Sequence, residues 1–139
     1  MSNQYIHVRC EDYSLLIDIS WVEEVINTTK YNGSQTDIEW RNHKMPLIDL
    51  TKILMGYAVQ NNKHCIILKD SDAANAFLGV GVGQVANIET IKDEEFEELP
   101  SLDFPFNDYF DKAYIPKTGG KCIYRLKNLV KLQSGNNDH

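Results

Sequence analysis

The sequence predicts a mainly β protein folded as a small barrel or sandwich. Short segments of alternating apolar and polar residues follow one another closely, and turn residues separate them. Long helical patterns do not alternate with these strands, which disfavours a parallel sheet built from βαβ units. The chain has 139 residues, the length of one domain, and 42% of them are apolar. It is therefore long enough to bury a core without disulfides or a structural metal.

The first predicted element is a β-hairpin over residues 4–17. Apolar and polar residues alternate from Ile6 to Cys10, as in a half-buried strand. The acidic pair Glu11-Asp12 follows directly and supplies the predicted turn.

A single helical turn and a loop are predicted after the hairpin. Ser20 can act as the N-cap of the turn, because Glu23 then occupies the capping-box position. Residues 28–35 are polar and contain the turn dipeptide Asn32-Gly33, which predicts a loop or a tight connection.

The later elements are predicted from the same kinds of signal. A short helix is expected over 49–56, because Asp49 is a suitable N-cap and Gly56 a suitable C-cap. The other elements, in chain order, are a strand over 37–41, a turn at 42–43 or 43–44, strands over 45–48, 63–69 and 77–82, a strand after residue 83, an irregular acidic stretch over 89–111, a hairpin over 109–125 with its turn at 118–120, and a helix over 126–132.

Three glycines, Gly79, Gly81 and Gly83, do not form a phosphate-binding loop. Such a loop needs a helix N-terminus after the glycines or a Gly-Lys-Ser/Thr triplet, and the sequence has neither. The glycines share one face of a predicted strand, which indicates the close approach of another backbone or a bulge.

The composition disfavours several classes of function. A formal net charge of −6 argues against binding to nucleic acid or to an anionic membrane. The three cysteines are far apart and form no CxxC pair, which indicates neither a disulfide framework nor a metal site, and no cofactor is expected. A reducing cytoplasm is therefore the expected location. No apolar run approaches the length of a membrane span, so no membrane insertion is expected.

Motifs for catalysis are missing as well, and the sequence predicts no catalytic residues. His64 and Cys65 are adjacent, so on a strand they point to opposite faces and cannot act together as base and nucleophile. Paired carboxylates and a nucleophile elbow do not occur. A small β-barrel enzyme that uses Cys65 or Cys122 is the enzymatic alternative, and a thiol-reactivity assay separates it from buried structural cysteines.

Charged residues are unevenly distributed near the C-terminus. Residues 93–98 form an acidic run, which is interpreted as a solvated turn or as a docking site for a basic partner. Residues 112–131 carry lysine and arginine but no acidic residue. This basic stretch is expected either to pair with the acidic run or to meet an acidic partner.

Two segments resemble the CheW-like family of chemotaxis coupling proteins. Residues 17–26, IDISWVEEVI, are similar to the family pattern I-x-x-x-x-V-x-E-V-I. Residues 38–50, IEWRNHKMPLIDL, are similar to v-x-x-R-G-x-x-x-P-v-i-D-L. The remaining strand patterns follow in the family's order, so the resemblance covers about residues 4–132.

The resemblance implies two small, interlocked SH3-like β-barrels with short helices around a shared core. It also implies a cytoplasmic, non-catalytic adaptor that binds the cytoplasmic tip of a chemoreceptor and the regulatory domain of a chemotaxis histidine kinase. A single domain is expected over residues 1–133, followed by a flexible tail over 134–139.

By the same resemblance, Val22, Glu24, Trp40 and Arg41 form the candidate protein-interaction site. A structural interpretation stays open beside the functional one. Val22 can be a core residue, Glu24 an exposed surface residue, and Arg41 a hydrogen-bonding brace between the barrels.

The sequence also departs from the family pattern. The connection over residues 27–40 is shorter than usual and lacks proline, and Asn42 replaces the usual glycine, which a left-handed backbone would tolerate. Two usual aspartates are replaced by Gly83 and Arg125. The alternative function is therefore a divergent CheW-like module that binds a partner, or itself, in a non-flagellar or other signalling system.

Overall fold

The structure is a computed structural model that describes residues 2–27, 37–56, 64–70, 73–99, 106–117 and 119–127. Eleven strands are assigned within these ranges: β1 (Ser2–Cys10), β2 (Tyr13–Asp18), β3 (Val22–Asn27), β4 (Asp37–Trp40), β5 (His43–Asp49), β6 (His64–Asp70), β7 (Ala73–Val82), β8 (Gln84–Lys92), β9 (Glu97–Glu98), β10 (Phe110–Tyr114) and β11 (Ile123–Leu126). The helical elements are α1 (Leu50–Met55), α2 (Phe106–Tyr109) and the single 3-10 turns Ile19–Trp21 and Asp93–Glu95.

The strands form two sheets, which confirms the predicted mainly β fold. The first sheet has six strands in the order β8-β1-β2-β11-β10-β9, and the second has five in the order β3-β6-β7-β5-β4. Both sheets are curled, in agreement with the two SH3-like barrels that the family resemblance implies.

The two sheets are interlocked through the order of their strands. The five-stranded sheet uses a continuous stretch of the chain, whereas the six-stranded sheet combines its two ends: β11 pairs in parallel with β2, Ile123 opposite Ser14. Both sheets bury apolar residues in one shared core, which includes Ile6, Val8, Leu15, Ile17, Leu50, Ile66, Leu68, Leu78, Val80, Phe110 and Leu126.

Helix α1 closes one end of this core, and both of its predicted caps are confirmed. The side chain of Asp49 accepts a hydrogen bond from the backbone N–H of Lys52 at 3.0 Å. Gly56 adopts a left-handed φ of 81° and its N–H donates to the carbonyl of Lys52. Leu50 and Leu54 are buried on the inner side of the helix.

The predicted helical turn near residue 20 is present, but the prediction of Ser20 as its cap was wrong. Asp18 is the N-cap, and its carboxylate accepts from the backbone N–H of Ser20 at 2.9 Å. The turn ends at Trp21, so Glu23 lies in β3 rather than in a capping box. The aspartate directly before the turn accepts from the free N–H of its second residue, so Ser20 is a turn residue and not the cap.

The turn between β4 and β5 lies at residues 41–42, whereas the sequence predicted it at 42–43 or 43–44. Trp40 pairs with His43 across the hairpin, so Arg41 and Asn42 are the two turn residues. Their φ angles are 46° and 65°, the left-handed values that a type I′ two-residue turn requires at both positions. Asn42 therefore has the conformation expected where the family has glycine.

The predicted C-terminal helix over 126–132 was wrong at its first residue, because Leu126 ends β11 and is fully buried. Residues 128–132, the tail over 134–139 and the loop over 28–35 lie outside the described residues. Part of the predicted turn at 118–120 is described, and there the N–H of Gly119 donates to the carbonyl of Pro116 at 3.1 Å. None of the helices in the described ranges has the length and hydropathy of a membrane-spanning segment.

The close backbone approach predicted for the glycines is confirmed at Gly83, which joins β7 of one sheet to β8 of the other. A Cβ atom placed on Gly83 would lie 2.8 Å from the carbonyl oxygen of Arg9. At Gly79 the nearest neighbours are side chains, beginning with Ile38 Cγ2 at 2.9 Å.

Candidate protein-interaction surface

Trp40 is the apolar anchor of a small cluster at the tip of the β4–β5 hairpin. Alternate residues of β4 point inward, and Trp40 is 8% exposed. Its ring packs beside Phe77 of β7, with ring centroids 5.3 Å apart, and His43 lies 5.2 Å from the same Phe77 ring. Beneath it lies a second core, formed by Ile38, Met45, Leu47, Cys65 and Ile67.

Glu24 of β3 links this anchor to the hairpin turn. One carboxylate oxygen accepts from the indole Nε1–H of Trp40, and the other accepts from Arg41 Nη2 at 3.1 Å. The two contacts join β3, one outer strand of the five-stranded sheet, to the end of β4, the other outer strand, and to the turn that follows it. Glu24, Trp40, Arg41, His43 and Phe77 are called the hairpin-tip cluster below.

Arg41 is an exposed member of the cluster. Its guanidinium carbon lies 4.8 Å from the centroid of the Trp40 ring, while 65% of the side chain is exposed. A left-handed φ is unfavourable for a residue with a Cβ atom, so the neighbouring contacts must hold Arg41 there. The pair with Glu24 and the stacking on Trp40 supply those contacts and fix the direction of the guanidinium.

Val22 lies on the opposite face of the sheet from Glu24. Val22 is opposite Leu68 and Glu24 is opposite Ile67, so the register shifts between them at Glu23. Directly opposite residues share a face, and consecutive residues of β6 face opposite sides. The half-buried Val22 consequently packs against the shared core, while Glu24 faces the hairpin-tip cluster.

The structure therefore brings three of the four sequence-predicted site residues together. The fourth, Val22, lies on the opposite face of the sheet. It adds His43 and Phe77, which the sequence reasoning missed. A hairpin turn at Arg41-Asn42 would have indicated the Trp40–His43 pairing, because the residues flanking a two-residue turn face each other. No local signal places Phe77, which is 37 residues further along the chain than Trp40.

Charged residues at the other sheet pair within the chain. Lys112 Nζ lies 2.8 Å from Glu98 Oε1, which joins the basic stretch to the acidic run as one of the two sequence interpretations expected. Arg125 makes two hydrogen bonds to Asp111, at 2.9 and 3.0 Å, and its guanidinium lies 4.6 Å from the centroid of Phe96. These contacts tie β9, β10 and β11 together at this end of the sheet.

The three thiols lie in surroundings that keep them protonated. Burial raises the pKa of Cys65 from 9.0 to about 11, and burial also raises the pKa of Cys10. The pKa of Cys122 is raised by partial burial and by the nearby Glu97 carboxylate. A surface cavity of about 360 Å³ lies against the six-stranded sheet near His7 and Arg9, and Cys65 and Cys122 are not among its lining residues.

We expect Cys65 and Cys10 to resist thiol reagents in the folded protein. A pKa of about 11 leaves about one Cys65 thiol in 10⁴ ionised at pH 7, and the side chain is fully buried. Labelling with a chromogenic disulfide reagent should therefore modify Cys122 first, and the other two only after unfolding in urea. Rapid labelling of Cys65 in the native state would favour the enzymatic alternative.

A search for metal-binding groups gives no candidate in the described ranges. There, three or more histidine, cysteine, aspartate or glutamate side chains do not come together in a way that could hold a metal ion. The arrangement at the hairpin tip, with a buried indole, a half-exposed carboxylate and an exposed guanidinium, is suited to contact with another protein.

Comparisons with known proteins agree with this description. A model of the CheW-like domain family matches residues 4–128. The crystal structure of the scaffolding protein TtCheW from Thermoanaerobacter tengcongensis superposes with a TM-score of 0.72 at 18% sequence identity, covering 91% of this chain and 90% of that chain. A search of curated proteins gives no match to this chain.

The two positive comparisons carry different weight. At 18% identity the likeness to TtCheW shows a shared fold. The family model extends over most of the sequence, including both segments that carry the resemblance. The chain therefore belongs to the CheW-like domain family.

Proposed function

We propose that this chain is a non-catalytic, cytoplasmic adaptor that couples the cytoplasmic tip of a chemoreceptor to the regulatory domain of a CheA-type histidine kinase. The observation that carries the proposal is the family match over residues 4–128. The raised pKa values of the thiols support the non-catalytic part, because a protonated thiol is a poor nucleophile.

The hairpin-tip cluster is the proposed contact surface for the cytoplasmic tip of the receptor. Tryptophan and arginine are enriched at the energetic centres of interfaces. Here the indole is already held by Glu24, and the guanidinium is already stacked, so binding orders few additional side-chain bonds. Arg41 uses only one nitrogen in its bond to Glu24, which leaves donors for a carboxylate of the partner.

Val22 is also part of the proposed interaction site, although it lies outside the hairpin-tip cluster. It lies in β3 on the face of the shared core and is only half-buried. We propose that its exposed half extends the same receptor contact along β3. A half-exposed apolar side chain suits contact with a receptor helix, as in helix-in-groove recognition.

Replacing Arg41 by asparagine should weaken binding of the receptor's cytoplasmic tip by about tenfold or more, about 1.4 kcal/mol. Asparagine tolerates the left-handed φ of 46°, so the turn is kept while the guanidinium is lost. Isothermal titration calorimetry with a purified fragment of the receptor's cytoplasmic tip measures the change. Thermal unfolding of the variant should match that of the wild type.

Lys44→Asn is the matched control. Lys44 lies on the same hairpin, is 76% exposed and makes only a 3.6 Å pair with Asp37. Its loss should leave binding within twofold of the wild type. If both variants weaken binding equally, general electrostatics rather than the cluster is responsible. If the folded wild-type chain binds neither kinase nor receptor, the coupling function is wrong.

A divergent partner-binding or self-associating module is the second candidate function. The observation that favours self-association is the outer edge of β8, which lies apart from the hairpin-tip cluster and in the other sheet.

A further inference from the structure

β8 is an outer strand of the six-stranded sheet, and one of its edges is unpaired. The strand pairs with β1 along its other edge, from Ser2 opposite Lys92 to Arg9 opposite Gln84. In the described part of the chain, no strand pairs with its outer edge. Backbone N–H and C=O groups along this edge are therefore available for pairing with a further strand, except at Lys92, whose N–H donates to Glu95 Oε1 at 3.1 Å.

The β8 edge differs from the other outer strands in its charges. The edge strands β3, β4 and β9 each carry two acidic residues, namely Glu23 and Glu24, Asp37 and Glu39, and Glu97 and Glu98. Two copies of any of these edges would bring like charges together, which opposes pairing. β8, with the sequence QVANIETIK, has one acidic and one basic residue and no proline.

The acidic residue of β8 is already engaged within its own chain. Glu89 accepts a hydrogen bond from Asn87 Nδ2 at 3.0 Å, and its carboxylate lies 3.8 Å from His7 Nδ1. Ile88 between them is 56% exposed, the largest value among the large apolar residues of the described ranges. The exposed edge is thus apolar at its centre and carries little net charge.

We infer that β8 pairs with β8 of a second copy of this chain, in an antiparallel arrangement centred on Ile88. This register places Ile88 against its own copy, Asn87 opposite Glu89, and Ala86 opposite Thr90. No like charges meet, and the amide–carboxylate contact of Asn87 with Glu89 is available across the two-fold axis as well. If the centre of the pairing moved by one residue, Glu89 would lie opposite Glu89 of the second copy. The repulsion between these like charges therefore favours the register centred on Ile88.

The pairing joins the two six-stranded sheets into one continuous sheet across a symmetric dimer. The only bulge in the β1–β8 ladder lies between His7 and Val8, opposite the stretch from Val85 to Asn87. Residues 87–89, at the centre of the proposed pairing, lie beyond this bulge in both copies and present a regular edge for strand addition. The inference is independent of the proposed coupling function, because it uses neither the hairpin-tip cluster nor Val22.

Sedimentation velocity over a range of concentrations tests the inference with the full chain. The wild type should show a reversible monomer–dimer equilibrium, and Ile88→Lys should weaken it by at least tenfold, because two lysines then face each other at the axis. Ile115→Lys is the matched control, since Ile115 is 53% exposed but lies outside β8. It should leave the equilibrium unchanged.

Hydrogen exchange of the backbone amides adds a readout specific to strand pairing. Raising the wild-type concentration should slow exchange within residues 84–92, and Ile88→Lys should abolish that protection. A wild type that stays monomeric at the highest attainable concentration overturns the inference. A dimer that Ile88→Lys leaves intact, or that Ile115→Lys disrupts equally, also overturns it.

Discussion

Replacing Trp40 by alanine is expected to lower the free energy of unfolding by about 3–5 kcal/mol. The side chain is 8% exposed and covers the second core, so its removal leaves a cavity beside Phe77 and Ile38. It also removes the indole N–H that donates a hydrogen bond to the Glu24 carboxylate. Chemical denaturation followed by circular dichroism measures the loss, and a loss below about 1 kcal/mol would mean that Trp40 contributes little to the core.

Trp40→Phe separates the packing of this residue from its hydrogen bond. Phenylalanine keeps an aromatic ring beside Phe77 but has no donor for the Glu24 carboxylate. Glu24 is partly exposed and retains Arg41, so the lost hydrogen bond should cost about 1 kcal/mol. A variant that is as unstable as Trp40→Ala would show that the buried hydrogen bond, rather than packing, dominates the site.

Gly83→Ala is the second substitution with a large expected effect, about 1–3 kcal/mol of stability. The added Cβ would lie 2.8 Å from the carbonyl oxygen of Arg9, and a backbone atom cannot rotate away as a side chain can. Relief requires β8 to move from β1, which loosens the ladder at Gln84 opposite Arg9. Urea denaturation measures the cost.

Gln84→Ala is the control for this position. Gln84 is the next residue and is exposed, so its truncation should change the unfolding midpoint very little. If Gly83→Ala is equally harmless, then the two strands separate at Gly83 without cost, and the tight crossing between the sheets does not contribute to stability.

Local signals in the sequence were sufficient for many elements. The β1–β2 hairpin followed from period-two alternation, and α1 followed from Asp49 and Gly56, whose capping contacts lie within four residues. Leu126 shows the limit of such signals. The residues next to it in the sequence allow a helix. In the structure it lies in a strand and pairs with Phe110, and the same strand pairs with β2, which is distant in the sequence.

Three residues of the candidate site were proposed from the sequence, whereas two others and the geometry were not. The family resemblance identified Glu24, Trp40 and Arg41, and the structure places them in contact. The bulge at Glu23, which turns Val22 to the other face, has no sequence signature of its own. The left-handed backbone of Arg41 is also not expected from its local sequence. The contact that stabilises it comes from Glu24, seventeen residues earlier.

The interlocked sheets also set an order in which the chain can acquire its structure during synthesis. All five strands of the second sheet lie within residues 22–82 and can pair as soon as they leave the ribosome. β2 must wait for β11, because Ser14 and Ile123 are separated by about 110 residues of chain. We therefore expect a nascent chain to carry its hairpin-tip surface before its first strands reach their final neighbours, with closure of the six-stranded sheet as the slow, late step.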